Sequence, residues 1–230
     1  MRYTRLNNES DDYIQAREKL RLAEIELIEH RERVAQMRRS LPPGGVVDDY
    51  EFLEGPAGLD AGDEPVTTVR LSELFTDPNR ALIVYHFMYG KAQTEACPMC
   101  TMWIDGYNGI AHHVAQNADL VIAAAAPPAT LRAHAKARGW NRLRLLSCGD
   151  NTFKRDLGSE DADGNQDSTV SVFVRDPDGT VRHTYSAKPS TAEDVFERGI
   201  DLLCATWHLL DLTPQGRGDW YASLSYGAGL

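Results

Sequence analysis

Ala81-Leu82-Ile83-Val84-Tyr85-His86-Phe87, followed by Cys97-Pro98-Met99-Cys100, is the stretch on which the reading of this chain turns. The first segment is a nearly continuous apolar run, the pattern of a strand buried on both faces. The second sets two cysteines three residues apart, where a helix over residues 97–116 is predicted to begin. Unpaired amide N–H groups and the positive end of the helix dipole at such a place stabilise a thiolate. A thiol left at its ordinary pKa of about 8.5 is mostly protonated at neutral pH. Pro98 suits the first turn, because its missing N–H would have had no intrahelical partner there. Cys100, one turn further on, faces the same side as Cys97 and is the less exposed of the two.

Working outward, Leu71 to Phe75 reads as a short helix. Leu120 to Ala125 is a second buried strand, residues 128–138 a helix, and Leu143 to Leu146 a third strand. A short helical piece near Thr152 to Leu157 leads into a polar loop over 158–168. Val170 to Val174 and Val181 to Tyr185 are strands on either side of Asp176-Pro177-Asp178-Gly179, a tight-turn signal. A last helix is predicted from Thr191 to Leu210, with Ala192, Val195, Ile200, Leu203 and Trp207 near one face. Strands alternating with helices, then a hairpin, then a helix describe an α/β fold with a mixed central sheet flanked by helices. That order is the thioredoxin arrangement, and the strand-and-helix piece at 142–157 is similar to the insertion of peroxiredoxin-type members.

Upstream, residues 11–39 read as one long helix with Ser10 as N-cap and apolar Ile14, Leu20, Ile25, Ile28 and Val34 spaced among charges. Pro42-Pro43-Gly44-Gly45 ends it. The expected organisation is a helical arm and linker over 1–65, a thioredoxin-like domain over 66–213 and a C-terminal tail over 214–230. Residues 1–40 carry nine basic and eight acidic side chains, the remainder 15 and 26, so a near-neutral arm precedes an acidic body. Such an arm is suited to packing on an acidic surface or across a twofold axis, which points to a homodimer through the arm; a solvated helix capping the domain is the alternative.

The whole chain of 230 residues has a net charge of −10, which repels phosphate backbones and argues against nucleic acid as a general partner. Its longest apolar run, Leu120 to Ala126, is far short of the roughly 20 residues a spanning helix needs, and residues 1–30 lack the apolar stretch of a secretion signal. With four cysteines the chain is no disulfide-stapled scaffold. A cytoplasmic location is expected.

In the reading that follows, Cys97 attacks a disulfide and Cys100 resolves the mixed disulfide. No bound cofactor is called for, and an external reductant must regenerate the dithiol. A zinc half-site is the competing use of the pair; it would need two more ligands from Cys148, Cys204, His112 and His113. Thr94 stands at the Thr-x-x-Cys spacing seen in peroxiredoxins, but Gly90 and Val170 occupy the places of that family's proline and arginine. A thiol peroxidase cycling through a sulfenic acid is therefore the alternative enzyme, and a thioredoxin-fold binding or assembly protein without turnover is the alternative outside enzymes. Cys148 and Cys204 read as core residues before they read as redox thiols. His86 reads as a satisfied core histidine, Trp103 as a cover for the dithiol or core filler, and His112-His113 as no metal pair by themselves.

Arg38-Arg39-Ser40-Leu41-Pro42, Tyr50-Glu51-Phe52 with Gly55-Pro56, Leu71-Ser72-Glu73-Leu74-Phe75 and Val84-Tyr85-His86-Phe87-Met88 also resemble a known family. So do Cys97-Pro98-Met99-Cys100 with Trp103 and Asp105, Gly139-Trp140, Val172-Phe173-Val174-Arg175-Asp176, His183-Thr184-Tyr185-Ser186, and Leu210-Asp211-Leu212-Thr213-Pro214 with Gly216-Arg217. The family is a bacterial thioredoxin-like one, catalogued as a domain of unknown function, family 899, and the resemblance covers nearly the whole chain. It implies a thioredoxin fold and dithiol–disulfide oxidoreductase activity, carries Cys97 and Cys100 over onto the dithiol, and supplies no substrate. Thioredoxins proper place a proline against the dithiol just before the hairpin. From Ser159 to Asp176 this chain has none, which favours a small disulfide or another electrophile over a docked protein chain.

Overall fold

A computed structural model describes residues 6–193 and 198–227. The chain divides into two compact units, residues 1–43 and 44–230.

The first unit is α1 (Asp11–Arg39), with the boundaries its sequence predicts. Ser10 caps it, its hydroxyl accepting the Tyr13 N–H at 3.2 Å. Asp11 and Asp12 sit at the positive end of the dipole, Arg38 and Arg39 at the negative end. No residue of α1 is buried.

The second unit is built on a seven-stranded sheet: β1 (Glu51–Glu54), β2 (Thr67–Arg70), β3 (Ala81–Phe87), β4 (Ala118–Ala124), β5 (Arg144–Ser147), β6 (Thr169–Arg175) and β7 (Val181–Ala187). The strands lie in the order β2-β1-β5-β4-β3-β6-β7. β3 pairs parallel with β4 and antiparallel with β6, and β7 closes the hairpin with β6. The helices are α2 (Pro98–Val114), α3 (Pro128–Arg138) and two shorter ones, α4 (Phe153–Asp156) and α5 (Ala205–Leu210). The unit β3-α2-β4 followed by the β6–β7 hairpin is the thioredoxin fold, and β5 with α4 is the extra piece foreseen at 142–157.

β3 reads as unbroken apolar sequence because both of its faces are covered. Leu82 and Val84 join one core layer with Phe52, Phe153 and Phe173; Tyr85 and Phe87 join the other, with Trp103, Ile104 and Trp140.

Two features differ from the sequence reading. The segment read as linker supplies β1, which pairs antiparallel with β2 and meets β5 at Leu53–Ser147. A four-residue strand is too short to announce itself by alternation. It is held by Arg144, which donates to both Glu54 carboxylate oxygens at 2.7 and 2.8 Å. Arg132, nearly buried, gathers the following loop by donating to the carbonyls of Pro56, Gly58 and Gly62.

The helix predicted from Thr191 to Leu210 is not continuous. It resolves into a 3-10 turn at Asp201–Leu203 and the short α5, with Cys204 between them. The break follows from Gly199, whose N–H donates to Pro189 O at 2.7 Å. A Cβ there would lie 2.1 Å from Lys188 O, so the backbone approach to the end of β7 admits only glycine. Ile200 and Trp207 are buried as expected, Leu203 is exposed, and Val195 lies outside the described residues.

Candidate active site

β3 carries the chain to the site, and α2 starts there. Cys97 N–H donates to Met88 O at 3.1 Å, which fixes the entry to the helix. Cys97 is the N-cap of α2, with extended backbone, and Pro98 occupies the first helical position. The Cys97 Sγ accepts the N–H of Cys100 at 3.4 Å, the bond an N-cap side chain makes to the third helical residue. The sulfur therefore sits where negative charge is stabilised by an otherwise orphaned amide and by the dipole. Thr101 secures the same turn: its hydroxyl donates to Cys97 O at 2.9 Å and meets His134 Nε2 at 3.2 Å.

The two cysteines differ in environment. Cys97 is half-buried, whereas Cys100 is 1% exposed. Burial pushes the Cys100 thiol well above the ordinary cysteine range, and the neighbouring Cys97 adds to that. The Tyr85 hydroxyl and the Met88 backbone, beside the Cys100 sulfur, pull the other way. Tyr85 is itself wholly buried, its phenol held protonated first by desolvation and then by the charge of Cys100. Its hydroxyl also bonds Ser168 Oγ at 3.0 Å. Tyr85 thus ties the surroundings of the buried sulfur to the loop that enters β6. No disulfide joins any of the four cysteines.

A cavity of about 170 Å³ opens on this pair. Met99, Trp103, Trp207 and Tyr221 form its apolar side; Asp167 and Ser168 face them from the loop before β6. The indole N–H of Trp103 is buried without a hydrogen-bond partner among the described residues. Two larger depressions, of about 740 and 520 Å³, lie at the β1–β5 edge and beside Tyr107; neither is lined by Cys97 or Cys100. A disulfide-exchanging site needs an accessible sulfur, so the smaller cavity is the one that matters.

The remaining sequence candidates scatter. Thr94 is exposed and does not line the cavity, and no arginine among the described residues lines it either. Val170 is buried opposite Tyr85 in the β3–β6 register. Ser168 stands directly before β6, where thioredoxins proper carry proline. Cys148 belongs to the core layer on the other face of the sheet; its thiol donates to Ala124 O at 3.3 Å, and burial pushes it up to about 12. Cys204, read from the sequence as mid-helical, is the residue before α5 and packs in the same core layer as the dithiol. His86 is fully buried, with Nδ1 on Ser159 Oγ at 2.7 Å, Nε2 on Ser171 Oγ at 3.0 Å and its ring stacked on Phe153. His112 and His113 touch ring to ring, and no three metal-ligating side chains converge among the described residues.

Tyr85, Ser168, Trp207 and Tyr221 were not singled out by the sequence as site residues. Only Tyr85 left a signal there: a phenol in a strand expected to be buried on both faces needs a partner for its hydroxyl.

Fold and site together define a thioredoxin-fold protein with a dithiol at the N-terminus of its first core helix. Over residues 3–226 the chain matches the family described as bacterial protein of unknown function (DUF899), and it belongs to that family. No curated protein matches it in sequence. Solved structures that resemble it include a PrxQ mutant of Xylella fastidiosa, at 14% identity and a TM-score of 0.48 over 71% of this chain and 93% of that one. AhpC of Mycobacterium tuberculosis matches at 15% identity and 0.48, over 76% and 97%. The peroxidoxin BcpB of the same organism matches at 18% and 0.48, over 74% and 98%. Among the described residues, no helix is long and apolar enough to cross a membrane.

Proposed function

We propose that the protein is a thiol–disulfide oxidoreductase in which Cys97 is the nucleophile and Cys100 the resolving thiol. The observation that carries this reading is the 3.4 Å bond from the Cys100 amide to the Cys97 sulfur at a helix start, beneath an open cavity. The Cys97 thiolate attacks one sulfur of a substrate disulfide; a mixed disulfide forms and the other half leaves as a thiolate. Cys100 loses its proton and attacks the Cys97 sulfur, so the internal disulfide forms and the second half of the substrate leaves as a thiolate. The substrate is reduced by two electrons and the dithiol oxidised by two; an external dithiol reductant returns the enzyme to its starting state, as suits a cytoplasmic protein. The cavity's small volume and aromatic wall favour a low-molecular-weight disulfide.

The test is trapping. Cys100→Ser incubated with glutathione disulfide or an aromatic disulfide should accumulate a single adduct at Cys97, read by mass spectrometry. Cys97→Ser should form none and turn nothing over. Equal adduct formation on both variants, or turnover by Cys97→Ser, rejects the assignment. Rapid consumption of peroxide by the reduced protein, with indifference to disulfides, would replace it with the peroxidase.

A further inference from the structure

The arm helix α1 is 29 residues long and buries none of them, so over its length of about 44 Å it has no buried face to support it. Most of its apolar residues fall on one heptad seam, which polar His30 completes. Tyr13, Leu20, Leu27 and Val34 recur every seven residues, and Ala16, Ala23, His30 and Met37 repeat three residues behind them. This is the a/d seam of a coiled coil. Tyr13, Leu20, Leu27 and Met37 are each more than half exposed on the isolated helix. Leu22, Ile25 and Ile28 fall off the seam, interrupted by Glu18, Arg21 and Glu32.

We infer that α1 pairs with α1 of a second copy of this chain as a parallel, in-register, two-stranded coiled coil. Flanking charges choose the partner and the direction. In a parallel pair each g position faces the e position five residues on in the other helix. Lys19 then faces the partner's Glu24, Glu26 faces the partner's Arg31, and Asp12 faces the partner's Arg17; only Arg33 meets a like charge, the partner's Arg38. The ion pairs already made inside the arm, among the described residues, are Arg17–Glu9, Arg21–Glu18 and Arg39–Glu32. They leave Lys19, Glu24, Glu26 and Arg31 outside. An antiparallel pair with full overlap sets Lys19 against the partner's Arg33, Arg17 against the partner's Arg31, and Glu24 and Glu26 each against its own copy. Slipping that pair by one heptad repairs the charges but leaves Val34 and Met37 beyond the overlap.

Sedimentation equilibrium on the full chain tests this. The wild type should be a dimer, and the Leu20→Asp/Leu27→Asp double variant a monomer with an intact near-ultraviolet circular dichroism spectrum. Lys19→Glu and Glu24→Lys should each raise the dimer dissociation constant about tenfold, since two symmetric ion pairs turn repulsive. Combining them restores the pairing with reversed sign and should return the constant to near its wild-type value. A monomeric or higher-order wild type, or a dimer that survives both Asp substitutions, overturns the pairing. A combined variant no tighter than the single ones overturns the parallel direction, because both antiparallel registers deny rescue.

Discussion

Tyr85→Phe separates the two chemical steps assigned to the dithiol. The substitution removes one oxygen from a ring that is fully buried and packed edge-on against Trp103 and Tyr107, so the ring stays in place. What is lost is the hydrogen bond to Ser168 and the hydroxyl that favours the Cys100 thiolate by donating to it once it ionises. A hydrogen bond to an ionised group contributes about 2 kcal/mol, which is roughly a 30-fold change in the thiolate population of Cys100 at a pH where the thiol predominates. The rarer thiolate is also more basic and more nucleophilic; a Brønsted coefficient of about 0.45 returns roughly fivefold. Resolution should therefore slow about sixfold, with its pH profile displaced to the alkaline side. Attack by Cys97 involves none of these atoms and should proceed at the wild-type rate. Acid-quenched single-turnover mixing with a small disulfide, followed by mass spectrometry, reads both phases as the rise and decay of the Cys97 adduct. An unchanged decay, or an equal slowing of rise and decay, would refute the Tyr85 hydroxyl as a functional element.

Two further outcomes follow from the body's buried polar groups. His86 is held neutral, well below its ordinary 6.5, first by desolvation and then by the positive charge of Lys154. The unfolded chain binds the proton that the fold excludes, so stability falls as pH drops below 6.5, by up to about 2 kcal/mol between pH 7 and pH 5 for this one group. Urea titrations should show that fall in the wild type and a shallower one in His86→Asn; equal slopes would show that another group sets the pH dependence. Arg132→Ala removes the donor that gathers the carbonyls of Pro56, Gly58 and Gly62. It should cost about 2–4 kcal/mol and speed proteolysis within residues 56–63. An unchanged urea midpoint with a protease-resistant loop would contradict that role.

Much of the fold is legible in the order of residues because it rests on patterns that close within one element. The arm helix has its cap, its charges and its terminating prolines in sequence, and its boundaries are as predicted. β3 and β4 show their double burial in their apolar runs, and Asp176-Pro177-Asp178-Gly179 announces the hairpin. The dithiol and its place at a helix start are equally local: the N-cap bond spans three residues.

What tertiary structure alone decided depends on residues far apart along the chain. β1 exists as a strand because β2 and β5 lie beside it and Arg144 reaches Glu54 across 90 positions. The last helix begins late because Gly199 is drawn onto Pro189 at the end of β7, a contact that helical spacing does not encode. Tyr85 reaches Ser168 across 83 positions, a bond invisible until β3 and β6 paired. Local sequence marks the arm helix, the doubly buried strands, the hairpin and the place where a thiolate is stabilised, since backbone hydrogen bonding, side-chain periodicity and the helix dipole act over a few residues. Packing decided which core layer each buried group entered and what that group then touched, because those contacts come from the sheet's register and crossovers.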